Sequence, residues 1–257
     1  MIHTNDEMFE GIPYTRYYQK KKERSPLMFF FHGFTSNRHE GTMGRAKKLC
    51  SMGYEVIAVD AYGHGERYNK TIMALNPSDK YKFLVDIVLR TADDVRHLYE
   101  AKLRYDERLL PSSFSVYGVS MGAQVAFMVG KNMPECKVIV SIVGSPSIYK
   151  IYDYKRKVFE WKKDQTFIDK LIQYKHLDPL EHFNTFINKH IFMGCGEFDQ
   201  TVPYQHAEKL YQLCNAPTHE FELYNVAHQS NDAMLNDAYE FLDTILKNND
   251  KTFGGYQ

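Results

Sequence analysis

The chain has 257 residues, a length at which one α/β domain can bury a full core. Lys plus Arg balance Asp plus Glu at 32 each, so no net field favours nucleic acid or an anionic membrane as a partner. Apolar residues make up 44% and charged residues 25%, ordinary for a soluble globular protein, and no apolar run approaches the ~18–20 residues of a membrane span.

The opening stretch, MIHTNDEMFEGIP, has no basic start followed by an apolar run, so a secretory signal is not expected. Phe9 to Gln19 predicts one or two edge strands. The cluster Lys20, Lys21, Lys22 and Arg24 reads as a solvated hairpin turn. Leu27 to Phe31 is a continuous apolar run, as expected for a strand buried on both faces. Arg38 to Met52 predicts a helix closed by Gly53. Tyr54 to Asp60 predicts a second central strand, and a Gly-containing loop follows. Lys80 to Leu103 has helical periodicity, with apolar residues at Phe83, Leu84, Ile87, Val88, Ala92, Val95 and Leu98.

Further along, Ser113 to Tyr117 predicts a strand and Met121 to Lys131 a helix. Strands are expected at Lys137 to Val143, His190 to Cys195 and Thr218 to Leu223, and helices at Val202 to Leu213 and Asp232 to Leu246. This alternation argues for an α/β fold with a mainly parallel sheet and helices on both faces. Ligands in such sheets bind outside the carboxyl ends of the strands.

The stretch from Ser147 to Lys189 breaks the rhythm. It is too long for an unstructured connection and rich in aromatic residues. It is expected to be a small helical cap, about 147–189, inserted in a single domain spanning 1–257. Within it Tyr149, Tyr152 and Trp161 are candidates to line a substrate pocket. The cysteines, Cys50, Cys136, Cys195 and Cys214, form no C-x-x-C pair. They read as free thiols in a reducing cytoplasm, the expected location.

Gly118-Val119-Ser120-Met121-Gly122 follows a predicted strand and opens a predicted helix, the context a G-x-S-x-G nucleophile elbow requires. A serine hydroxyl is a weak nucleophile until a base takes its proton. His228 lies between the last strand and the last helix and is the candidate base. His219 falls inside a strand, His206 on a helix, and His176, His182 and His190 in or beside the cap. Asp199 follows the preceding strand and is the candidate acid, with Glu197 as the nearby rival. Its role would be to hold the imidazole in one tautomer. The backbone N–H groups of Phe34 and Met121 are the candidate oxyanion donors.

Together, HGF at 32–34, DAYGHGER at 60–67, GVSMG at 118–122, GEFDQTVP at 196–203 and AH at 227–228 resemble the α/β-hydrolase superfamily. Within it the chain looks like small bacterial esterases related to the catalytic domain of prolyl oligopeptidases and to dienelactone hydrolases. Its HGFTSN segment is also similar to bacterial cinnamoyl and feruloyl esterases. The resemblance implies that Ser120, Asp199 and His228 form the triad and that Phe34 and Met121 supply the oxyanion hole. It assigns Asp60 and the Gly63-His64-Gly65 loop a part in shaping the catalytic edge. Two features depart from the pattern. Ala123 stands where a second glycine often follows the elbow, and position 120 is serine where dienelactone hydrolases use cysteine. The chain also has no room for the propeller of a prolyl oligopeptidase.

The expectation is therefore a cytoplasmic serine carboxylesterase that cleaves small acyl esters through an acyl-enzyme. It needs neither a metal nor an organic cofactor, and its partner is a small-molecule ester rather than nucleic acid or membrane. An aminopeptidase or thioesterase on the same triad is the alternative, followed by a non-catalytic scaffold.

Overall fold

The computed structural model describes residues 1–20, 24–42 and 44–248. Among these, eight strands form one sheet in the order β1-β2-β4-β3-β5-β6-β7-β8. The strands are β1 (Ile2–Phe9), β2 (Ile12–Gln19), β3 (Ser25–Phe31), β4 (Glu55–Val59), β5 (Leu109–Val119), β6 (Cys136–Ile142), β7 (His190–Gly196) and β8 (His219–Tyr224). Strands β1 and β2 pair antiparallel, as do β2 and β4; all other pairs are parallel. The helices are α1 (Arg45–Met52), α2 (Lys70–Met73), α3 (Pro77–Tyr81), α4 (Leu84–Ala101), α5 (Met121–Asn132), α6 (Ile148–Val158), α7 (Gln165–Leu177), α8 (Gln205–Cys214) and α9 (Asp232–Lys247).

The central strands alternate between two cores, as the period of two in a strand requires. Phe29 and Phe31 of β3 pack with α4 and α5, whereas Met28 and Phe30 pack with α1 and α9. Ile57 and Val56 of β4 divide in the same way. Both faces are covered, which is why these strands read as unbroken apolar runs.

Several element bounds differ from the sequence expectations. The first edge strand begins at Ile2, and β1 and β2 meet at Glu10-Gly11, where φ is 46° and 80°. Two positive φ values in a two-residue turn match the right-handed twist of a hairpin. The first helix begins at Arg45 rather than Arg38. Residues 38–42 form turns, because Arg38 is committed elsewhere: it is buried, its N–H donates to Asp60 Oδ1 at 2.8 Å, and its guanidinium pairs with Asp60 and Glu66. The helix expected from Lys80 starts at Leu84, preceded by the short α3, which Asn76 caps through Asp79 N. Lys21 and Lys22 of the basic cluster lie outside the described residues.

Between β6 and β7 the chain forms α6, α7 and a 3₁₀ segment at Leu180–Phe186. One buried carboxylate ties the start of α6 to the chain just after α7. Asp178 Oδ2 accepts from Ser147 Oγ at 3.0 Å and Tyr149 N at 3.1 Å, and its Oδ1 accepts from Leu180 N at 2.9 Å. Tyr152, Trp161, Phe167 and Tyr174 fill the space between α6 and α7 as stacked and edge-on rings. The four cysteines are buried and none forms a disulfide. Among the described residues no helix is long and apolar enough to cross a membrane.

Candidate active site

Strand β5 ends at Val119, and α5 begins at Met121. Ser120 makes the corner with φ 55° and ψ −113°, a conformation that costs energy for a residue with a Cβ. Its N–H donates to Ile142 O at 2.8 Å, and its carbonyl accepts from Ala123 N at 3.0 Å. Gly122 lets α5 lie directly on the end of β3, since a Cβ there would stand 2.2 Å from Phe31 O. The elbow thus holds the Ser120 hydroxyl above the carboxyl edge of the sheet.

The loops after β7 and β8 bring two more groups to that edge. Ser120 Oγ–H donates to His228 Nε2 at 2.8 Å. His228 Nδ1–H donates to Asp199 Oδ2 at 2.6 Å. Asp199 is buried, and its Oδ1 accepts the N–H groups of Thr201 and Val202, both at 2.8 Å. The rival Glu197 points to solvent. With both oxygens of Asp199 acting as acceptors, the proton lies on Nδ1 of His228 and Nε2 is free to accept from serine. This arrangement can move a proton from Ser120 to His228 while a carboxylate stabilises the resulting imidazolium.

The loop after β3 is fixed by two histidines. His32 Nε2 accepts from Ala61 N at 3.0 Å, so its proton is on Nδ1, which donates to Gly33 O at 2.8 Å. His64 Nε2 accepts from Thr35 N at 3.1 Å, and its Nδ1–H donates to Tyr62 O at 3.0 Å. Burial pushes the His32 imidazole down to about 4 and lowers that of His64, so both stay neutral acceptors at neutral pH. They clamp Phe34 between anchored neighbours. Among the described residues no hydrogen bond engages the N–H of Phe34 or that of Met121 at the start of α5. Asp60, whose carboxylate accepts Arg38 N and Glu66 N, braces this loop from below.

Ser120 and Phe34 stand on the wall between two spaces. One is an open cleft of about 680 Å³, lined also by Arg45, Lys80, Tyr81, His228, Gln229 and Ser230. The other is a narrow pocket of about 10 Å³, with room for about one water-sized group, lined also by Met121, Gln124, Ile151, Lys155 and Thr201.

Tyr149, Tyr152 and Trp161 line neither space. Helical spacing on α6 turns Tyr152 into the aromatic packing against α7, where it is 5% exposed. Tyr149 O–H donates to Glu181 Oε1 at 3.1 Å, and Trp161 Nε1–H donates to Ser78 Oγ at 2.7 Å. Helix α6 instead sends Ile151 and Lys155 to the pocket. Lys155 carried a signal in the sequence. Ile148, Ile151, Tyr152 and Lys155 share one face of α6, so a cation occupies a position where periodicity calls for an apolar residue. Gln124 is the same kind of exception among the buried residues of α5. Among the described residues no group of three or more His, Cys, Asp or Glu could hold a metal ion.

A family model described as the prolyl oligopeptidase family matches residues 41–247. No curated protein matches the chain. Solved structures match over nearly its whole length. The Thermus thermophilus protein TT1662 is 17% identical, with a TM-score of 0.72 over 96% of this chain and 99% of that one. The Pyrococcus furiosus esterase Pf2001 is 18% identical, with a TM-score of 0.65 over 96% and 92%. The Pyrococcus horikoshii acylaminoacyl peptidase is 13% identical, with a TM-score of 0.72 over 100% of this chain and 42% of that one. At these identities the likeness establishes the α/β-hydrolase fold.

Proposed function

We propose that this chain, which belongs to the prolyl oligopeptidase family and is a serine hydrolase, acts as a carboxylesterase on small acyl esters. The observation that carries this reading is the relay from Ser120 Oγ through His228 to Asp199, at 2.8 Å and 2.6 Å, standing between an open cleft and a narrow pocket. Ser120 Oγ attacks the ester carbonyl as His228 Nε2 takes its proton. The carbonyl oxygen becomes an oxyanion held by the N–H groups of Phe34 and Met121. As the C–O bond to the alcohol breaks, His228 gives its proton to the leaving oxygen. Water then repeats the cycle on the acyl-enzyme, releasing the acid and restoring Ser120.

The two spaces support a division of labour. The pocket of about 10 Å³ suits a short acyl group, and the cleft of about 680 Å³ suits a larger alcohol. Among the described residues the cleft wall includes Arg45 and Lys80 but no aspartate or glutamate. A free amino terminus would find no counter-charge there, which favours ester over aminopeptidase substrates. The segment 147–189 serves as a cap on one domain, closing the acyl side through Ile151 and Lys155.

The test is covalent labelling with a fluorophosphonate, read by intact mass. One adduct on the wild type, absent from Ser120→Ala, is expected. Phenyl acetate should then be cleaved faster than an aminoacyl arylamide. Folded protein that takes up no label would count against an assembled triad.

A further inference from the structure

The narrow pocket beside Ser120 contains a cation that the proposed chemistry leaves unused. Lys155 lies on the buried face of α6 and is 4% exposed. Among the described residues no hydrogen bond or ion pair reaches its ammonium. Its close neighbours are rings: Nζ stands 4.5 Å from the centroid of Tyr81 and 5.6 Å from that of Tyr154. Asp199 acts on it only through its longer-range charge. Ring faces offset part of the cost of burying an ammonium but satisfy none of its three N–H donors.

The same pocket contains a second unfinished polar group. Gln124 is 1% exposed, and its Oε1 is buried without a hydrogen-bond partner. No hydrogen bond joins it to Lys155. Lys155, whose ammonium can only donate, and Gln124, whose amide oxygen is unpaired, thus both line a space for one small group, next to the serine and both proposed oxyanion donors. Unpaired buried polar groups are uncommon, and each one costs stability.

A hydroxyl group, water's or a substrate's, meets both needs at once. A hydroxyl oxygen accepts from an ammonium, while its hydrogen donates to an amide oxygen. A carboxylate could accept from Lys155 but has no hydrogen for Gln124 Oε1, and it is larger than the space. With the ester carbonyl directed at the N–H groups of Phe34 and Met121 and the adjoining carbon set at the pocket mouth, the space would take one substituent of that carbon. We propose that this pocket is a specificity site for 2-hydroxyacyl groups, in which Lys155 donates to the substrate hydroxyl and Gln124 accepts from it. The assignment rests on the esterase reading above. A methyl group in the same place would face both polar groups without pairing either, the situation in which an enzyme site discriminates most strongly.

The experiment compares kcat/KM for phenyl acetate, phenyl propionate and phenyl 2-hydroxyacetate on wild type, Lys155→Met and Gln124→Leu. Propionate and 2-hydroxyacetate place a methyl and a hydroxyl at the same position. Comparing their ratio between proteins cancels the intrinsic reactivity of each ester. The hydroxyacetate-to-propionate ratio is expected to fall ~10- to 100-fold in each variant, and the acetate-to-propionate ratio falls with it, to a smaller extent, because the methyl of propionate then faces fewer unpaired polar groups. Circular dichroism establishes that each variant is folded, and agreement between the two guards against a packing defect in one. An unchanged ratio overturns the assignment. In particular, equal loss on all three esters would make Lys155 a positioning partner of Asp199. A wild type that cleaves none of the esters defeats the esterase reading itself. One that cleaves acetate but prefers propionate to hydroxyacetate defeats only the pocket assignment.

Discussion

Asp199 meets His228 through a single carboxylate oxygen, Oδ2, at 2.6 Å from Nδ1, while its Oδ1 is held by the N–H groups of Thr201 and Val202. The carboxylate is thus oriented by the backbone before it orients the imidazole. In Asp199→Asn, Oδ1 can still accept from Thr201 and Val202, but the amide NH₂ then faces His228 and favours the tautomer protonated on Nε2. That tautomer cannot accept from Ser120. We expect kcat for phenyl acetate to fall ~10⁴-fold with little change in thermal midpoint. A loss under tenfold would mean that Asp199 does not select the tautomer.

Gly65 and Asp60 form the tightest contact in the loop that braces the proposed oxyanion donor. Gly65 has φ +54°, and a Cβ there would stand 2.1 Å from the Asp60 carboxylate. Gly63 has φ +77°, but its nearest neighbour to such a Cβ is 3.6 Å away. Gly63→Ala should therefore cost only backbone strain, about 1 kcal/mol, whereas Gly65→Ala also displaces the acceptor of Arg38 and should cost about 3 kcal/mol. Urea unfolding of both variants gives the comparison, and equal losses would show that the contact with Asp60 relaxes freely.

Lys155 links the pocket to stability. Burial lowers its ammonium from the ordinary 10.5 to about 8. Between these values the unfolded chain holds a proton that the folded chain has lost, so this group makes stability rise with pH from about 8 to about 10.5. Below 8 the penalty is fully present. Lys155→Met removes it, so the variant should exceed the wild type in stability at pH 7, with the difference narrowing as the pH approaches 10.5. Urea midpoints at pH 7, 8.5 and 10 test the trend. A difference independent of pH would assign the effect to packing alone.

Asp178 is the clasp of the proposed cap. Burial raises its carboxyl to about 6 despite the N–H and O–H groups it accepts. Asp178→Ala leaves Ser147 Oγ and the N–H groups of Tyr149 and Leu180 without their acceptor. It should cost about 3 kcal/mol and loosen α6 and α7 before the sheet unfolds. Trp161 is the sole tryptophan, and its Nε1–H anchors the insertion to Ser78, so its fluorescence reports the event directly. A fluorescence transition coincident with loss of the whole fold would show that the insertion does not open independently.

Much of the site was legible in the sequence because its signals are local. The glycines around Ser120 and the order of Ser120, Asp199 and His228 along the chain need only strand-to-helix context to be read. The helix expected from Arg38 starts only at Arg45 because Asp60 takes both the Arg38 N–H and its guanidinium. Tyr149, Tyr152 and Trp161, expected to line a pocket, line neither space for a related reason. An aromatic residue on an amphipathic helix looks the same whether it faces a ligand or another helix, and Tyr152 faces Phe167.

The sequence by itself determined the layered α/β architecture and the three side chains gathered at one sheet edge. Burial period, turn chemistry and chain order all act over a few residues. Only the tertiary structure decided that Lys155 of α6 and Gln124 of α5 line one pocket beside Ser120. That depends on how α6 packs against α4 and α7, and no spacing along the chain encodes the meeting of two helices so far apart in sequence.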